Sequence, residues 1–312
     1  MRRWLLPLAA SALFALGLGS ASADNWRSVA RLESPRASLQ AVTVDGQIYA
    51  AGGTTLTGPS DIFEAYDPRS NDWRPLESMP DGRDGFGMAA HGSVIFIAGG
   101  FSSLAKSKPT ASVYAFDTTD STWSRKADMP AARTGHTMTA VGDYVYVIGG
   151  RGAGTERVLR YDPGADKWES FGAPEPTPRS GHAAAALGTK IYVIGGRSAS
   201  GAPLARVEVF DTESGKWSDS AALPIAVIGT TAGFVGTQLN IAGGTDPARQ
   251  RTLNDHYLLS GGVWRKVASL PTPRQSLASA ALGGQWYVIG GGAGTGALTA
   301  FTGTDDVEVY TP

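Results

Sequence analysis

R-T-G-H-T-M-T-A-V-G-D-Y-V-Y-V-I-G-G, residues 133–150, is followed after a short variable piece by V-L-R-Y-D-P-G-A-D-K-W, residues 158–168. Four β-strands can be read in this stretch. The first covers 133–141 and meets a two-residue hairpin signal, Gly142-Asp143. The second, 144–148, is aromatic and β-branched and stops at Gly149-Gly150. The third ends at Tyr161-Asp162, and Pro163-Gly164 turns the chain into a fourth around Trp168.

The unit recurs along the chain. Double glycines fall at Gly52-Gly53, Gly99-Gly100, Gly149-Gly150, Gly195-Gly196, Gly243-Gly244 and Gly290-Gly291, with successive copies 47, 50, 46, 48 and 47 residues apart. Seventeen residues before each second glycine stand Arg36, Arg83, Arg133, Arg179, Val227 and Arg274. Downstream, an aromatic precedes a tryptophan by seven residues in five copies: Tyr66 and Trp73, Phe116 and Trp123, Tyr161 and Trp168, Phe210 and Trp217, Tyr257 and Trp264. The sixth copy reaches Tyr310 and stops at Pro312, whereas Trp26 precedes Arg36 by the ten residues that separate Trp73 from Arg83. A four-stranded sheet cannot bury both faces alone, but repeated sheets around an axis can. These distances therefore predict an all-β ring of six blades, the last one closed by the N-terminal strand, which leaves no open edge.

The double glycine followed by spaced Tyr and Trp resembles the kelch repeat, over the whole chain from residue 24 to 312. The resemblance implies a six-bladed β-propeller, one blade per repeat, with glycine pairs, aromatics and tryptophans as packing elements. It also implies a superfamily shared with copper-radical galactose oxidases. Their cofactor needs a cysteine cross-linked to a tyrosine, and this chain has no cysteine. The same family includes an exported sialic-acid mutarotase, whose acid and base no motif here locates.

Residues 1–23 stand apart. Arg2 and Arg3, an apolar run from Trp4 to Leu18 and Ala21-Ser22-Ala23 form the pattern of a secretory signal peptide, cleaved after Ala23. Without Arg2 and Arg3 the 27 Lys+Arg become 25 against 28 Asp+Glu, a net charge near −3. Such a chain offers no general attraction for nucleic acid, and no later run is apolar enough for an integral membrane segment. The expected location is the periplasm or the extracellular space. The absence of cysteine also removes disulfides, thiolate metal sites and cysteine nucleophiles.

Length varies between the second glycine and the aromatic, which takes 13, 16, 11, 14, 13 and 19 residues. Those loops and the inter-blade connections leave from one face, where a binding surface is expected. Arg36, Arg83, Arg133, Arg179 and Arg274 open inner strands on that face, and Arg151 and Arg197 follow two of the glycine pairs. Convergence of Arg133, Arg151, Arg179 and Arg197 would hold an anionic group bidentately; the alternative is that each arginine ties loop carbonyls. His136 and His182 occupy equivalent places without a third metal ligand at suitable spacing, and Gly290–Gly296 lacks the Lys-Ser/Thr of a phosphate loop. No G-x-S-x-G occurs. No catalytic residue, metal ligand or cofactor is assigned. The function read from the sequence is non-enzymatic binding by an exported monomer, through loops carrying Leu56, Phe101, Leu104 and Leu204, with a protein or carbohydrate as ligand. A sugar mutarotase and a carbohydrate-binding module remain the alternatives.

Overall fold

A computed structural model describes residues 25–103 and 108–312, so the signal-like segment 1–23 and Leu104 lie outside the described residues. Six four-stranded antiparallel sheets follow one another as meanders. Blade I holds Gln40–Val44, Gln47–Ala51, Phe63–Asp67 and Asp72–Pro75. Blade II holds Gly87–His91, Val94–Ala98, Val113–Asp117 and Thr122–Lys126. Blade III holds Thr137–Val141, Tyr144–Ile148, Leu159–Asp162 and Lys167–Ser170. Blade IV holds Ala183–Leu187, Lys190–Ile194, Val207–Asp211 and Lys216–Asp219. Blade V holds Thr231–Val235, Gln238–Ala242, His256–Ser260 and Val263–Lys266. Blade VI joins both ends of the chain: Ala278–Leu282, Gln285–Ile289 and Val307–Tyr310 are completed by Trp26–Ser28, with Trp26 opposite Tyr310. Among the described residues no helix is long and apolar enough to cross a membrane.

The hydrophobic core is divided into six clusters, one in each seam between neighbouring blades. Second strands are buried on both faces, as Ile48, Tyr49, Ala50 and Ala51 show, because each is flanked by sheets on either side. The six repeat tryptophans add a ring of hydrogen bonds: each indole Nε1 donates to a carbonyl just past the tryptophan of the preceding blade. Trp73 donates to Ala30, Trp123 to Glu77, Trp168 to Ala127, Trp217 to Ala173 and Trp264 to Ala221. Trp26 donates to Ala268 at 2.8 Å and so closes the ring across the chain ends. At Gly149, φ is +67° and an added Cβ would stand 2.6 Å from the carbonyl oxygen of Arg179. Only glycine ends that strand without displacing the next blade.

A second ring surrounds the axis. Two residues after each repeat arginine or its Val227 equivalent lie Ser38, Gly85, Gly135, Gly181, Gly229 and Ser276, all at positive φ. Their peptide groups are linked head to tail: Gly135 N–H donates to Gly85, Gly181 to Gly135, Gly229 to Gly181, Ser276 to Gly229 and Ser38 to Ser276, at 2.7–2.9 Å. This ring narrows the channel and separates a funnel on the variable-loop side from a lower compartment lined by the first strands.

Blade V departs from the repeat register read above. Leu259, not Tyr257, pairs with Leu239 and Trp264, the place taken by Tyr66 in blade I opposite Ile48 and Trp73. The hairpin at Gly261-Gly262 is two residues shorter than the Asp67–Asp72 turn, because both glycines adopt positive φ and close a two-residue turn. Tyr257 thus takes the position of Glu64 in blade I. The fixed seven-residue spacing there is a coincidence of a longer loop and a shorter turn.

Candidate functional site

The five repeat arginines are fully buried, at 0–2% exposure, and are part of the blade walls. Arg274 donates to the carbonyls of Gly290 at 2.6 Å and Asp306 at 2.8 Å, and pairs with Glu308 at 2.5 Å. Arg179 repeats this with Gly195, Arg206 and Glu208. Arg36 pairs with Glu64 at 2.7 Å. Arg83 bonds Gly99 and Ser112 but draws its carboxylate from Asp81, since Tyr114 fills the position of Glu64 and the guanidinium lies 5.2 Å from that ring. A buried arginine holding two carbonyls and a carboxylate locks the glycine pair to the third strand. The predicted convergence of four guanidinium groups is therefore corrected: Arg133 and Arg179 tie the scaffold, and only Arg151 and Arg197 are exposed at the mouth.

These two are placed by short ladders above the blades. Arg151 pairs in register with Thr134, and Arg197 with Ser180. The ladders set both arginines on the wall of one funnel of about 520 Å³, whose other lining includes Asp84, Phe101, Thr134, Ser180 and Ser276. An adjoining cavity of about 690 Å³ continues from the same arginines towards Thr54, Gln250, Thr295 and Thr299. Among the described residues neither guanidinium has a carboxylate within ion-pair reach. Hydroxyls, amides and two unpaired cations form a lining suited to an anionic, hydroxyl-rich or peptidic group.

Asp84 was not singled out in the sequence. It follows Arg83 directly and occupies the cavity wall position taken by Thr134 and Ser180 in blades III and IV. Burial pushes its carboxyl up to about 6. A group near neutrality can both give and accept a proton.

Glu175 is the second residue sequence reasoning missed. Four residues before each repeat arginine or Val227 stand Leu32, Met79, Met129, Glu175, Leu223 and Leu270, all buried. The single carboxyl in this apolar series lies in the one connection carrying an extra residue, between Trp168 and Arg179. It lies 3.3 Å from Arg179, and neither of its oxygens has a hydrogen-bond partner of good geometry among the described residues. Burial, reinforced by Glu208 and opposed by Arg179, pushes it up to about 8. Its neighbour Arg133 has lost the local carboxylate, because Leu159 stands where blades I, IV and VI have glutamate. Burial lowers Arg133 to about 10, with Glu156 and Glu175 opposing the shift.

His136 and His182 are buried in the seams, where an added Cβ on Gly99 or Gly149 would strike their rings at 2.7 and 2.6 Å. Desolvation, then the adjacent arginine, lowers both to about 3, so they are neutral packing groups. Gly290 and Gly291 end a strand, and Gly296 starts a 3-10 helix, Gly296–Thr302. On the loops Leu56 is exposed, and Phe101 and Leu204 are half-buried.

The KLHDC2/KLHL20/DRC7 Kelch-repeats domain model matches residues 9–150 and 135–312. Kelch-like protein 25 of Xenopus tropicalis is 27% identical over 85% of this chain and 38% of its own length. Alpha-scruin of Limulus polyphemus is 30% identical over 35% of this chain and 12% of its own. The chain thus spans well under half of the curated relatives it matches. A solved structure described as "Structure of YjhT" superposes with a TM-score of 0.80, covering 91% of this chain and 97% of that one, at 19% identity.

Proposed function

The chain belongs to the kelch-repeat family of β-propellers, and from that premise we propose that it is a binding module whose axial funnel takes an anionic group between Arg151 and Arg197. One observation carries this reading. Five arginines are consumed by the scaffold, while these two stand exposed on the same cavity with no carboxylate in ion-pair reach among the described residues. Two guanidinium groups in a partly enclosed, hydroxyl-lined site gain more from a carboxylate than they would in open water. The proposal also places the protein outside the cytoplasm, on the signal-like pattern of residues 1–23, and takes it to act as a monomer. Intact-mass analysis of exported protein should then show Asp24 as the first residue. Retention of residues 4–18 would contradict export by cleavage.

Calorimetric titration tests the site with a glutamate-rich peptide, its glutamine counterpart and N-acetylneuraminate. An acidic probe should bind, and R151A/R197A should weaken it by ~1–3 kcal/mol. Equal binding of the glutamate and glutamine peptides, with no binding of the sugar acid, would overturn the reading.

A second reading, mutarotation of a sugar acid, is favoured by Asp84, a carboxyl near neutrality on the same cavity as the arginine pair. Asp84 would take the proton of the anomeric hydroxyl and deliver it to the ring oxygen as the bond from the anomeric carbon to that oxygen breaks and the carbonyl forms; closure reverses the transfer, while the arginines hold the carboxylate. NMR exchange between the anomers of N-acetylneuraminate should be accelerated by the wild type and not by D84N. No acceleration by the wild type removes this reading and leaves binding.

A further inference from the structure

We infer that the variable-loop face is bipartite, and that its partner is an extended protein segment carrying an acidic side chain and a bulky apolar one. The inference rests on the anionic clamp above and adds the second half of the surface. Five large apolar side chains are exposed among the described residues. Leu187 and Val263 lie singly beside tight turns on the opposite face, where isolated exposure is ordinary. The other three lie together on the loop face. Leu298 and Phe301, at 60 and 67% exposure, sit on the 3-10 helix Gly296–Thr302, and Leu56, at 72%, tops the Thr54–Pro59 hairpin packed against that helix.

The helix is itself anchored. Thr299 accepts a hydrogen bond from Gln275 at 2.8 Å, and Thr302 accepts one from the Gly294 N–H at 2.6 Å. A firm base that turns leucine and phenylalanine outward presents a ready apolar contact, because little ordering remains to be done on binding. The cavity of about 690 Å³ connects the two halves, with Arg151 and Arg197 on one side and Thr299 and Ala300 of the helix on the other. A free sugar acid would use the basic wall and leave the apolar one uncovered. A second copy of this chain would have to bring negative charge to Arg151 and Arg197, while the corresponding surface offers it two arginines and Asp84 as the one acid on the cavity. Charge complementarity with an apolar anchor favours a peptide that crosses the cavity.

The probe is a phage-displayed library of random dodecapeptides selected on the mature wild-type protein. Selection should enrich sequences that combine Asp or Glu with Leu, Ile, Phe or Trp. L298S/F301S should weaken the selected peptides by roughly tenfold or more, the scale of a buried apolar anchor, with an unchanged melting curve. R151A/R197A should weaken the same peptides separately. Acidic peptides without apolar preference, or full affinity in L298S/F301S, would overturn the bipartite surface and leave the anionic clamp standing. Apolar peptides indifferent to R151A/R197A would overturn both. A selection without binders overturns the peptide partner. So does a wild-type dimer that L298S/F301S converts to monomer in sedimentation, which would assign the apolar half to a second copy.

Discussion

At the seam between blades V and VI, Leu270 fills the wedge and Trp26 packs against His256, Trp286 and Tyr310 at 5.3–5.9 Å. At the seam between blades III and IV the wedge position holds Glu175, with Arg133 and Arg179 as its charged neighbours. The first seam lies against the blade that the two chain ends share, with no covalent link in that blade between Trp26–Ser28 and its neighbouring strand, so it must hold by apolar and aromatic contact. The second lies between two blades whose four strands are each covalently continuous, and it holds a buried polar cluster. It also lies below the two blades that project Arg151 and Arg197. Uniformity in the repeats marks what closes the ring, and departure from it marks the blades that carry the site.

The largest test of this contrast removes residues 1–33, so that the chain starts at Ser34 and loses the strand Trp26–Ser28. Loss of a buried tryptophan and its strand hydrogen bonds should cost roughly 4–6 kcal/mol in urea denaturation. An unchanged midpoint would mean that blade VI stands with three strands. Next in size is R274M, which leaves Glu308 buried without its cation and should cost about 3–5 kcal/mol. R133M removes an arginine with no ion-pair partner among the described residues and should cost less, roughly 1–2 kcal/mol. Equal losses would remove the energetic distinction between blades III and VI.

A subtler measurement concerns Glu175. Its carboxyl rises from 4.5 to about 8 on folding, so between those values the native protein holds a proton the unfolded chain has released. Its contribution is full below about pH 4.5 and fades as pH rises through about 8. Glu208, Arg179 and Arg133 face the same cluster. E175L, which restores the apolar wedge, should melt above the wild type by a margin that widens from about pH 5 to about pH 8. A constant margin would mean that the carboxyl titrates normally. The smallest effect belongs to R151A/R197A, whose stability should stay within about 0.5 kcal/mol of the wild type, since both side chains are exposed.

Blade number, strand pairing and closure were legible because they rest on residues the ring cannot vary: glycines without room for a Cβ and tryptophans bonded to the preceding blade. The repeat arginines were legible as positions but misleading as a site. Residues repeated in five blades answer a need of every blade, here the joining of glycine carbonyls to the third strand. Glu175 was visible as one acid among five leucines and methionines, a signal that emerges only when the copies are aligned on the arginine. Asp84 gave no comparable signal, for its counterparts Ala37, Thr134, Ser180, Ile228 and Gln275 share no chemistry. The Tyr257 register was misread because two length changes cancelled, which spacing alone cannot reveal.

The axial ring bears on how an anion would be attracted at all. Peptide groups joined head to tail around an axis make their dipoles circulate, so the positive ends are spent on neighbouring carbonyls and none points up the funnel, unlike the free N–H groups at a helix start. Among the described residues the circuit is interrupted once, between Ser38 and Gly85, beside Asp84. The floor of the funnel is therefore nearly silent electrostatically. Whatever charge preference the protein has must come from side chains on its rim, which can change from one propeller to another without disturbing the ring beneath.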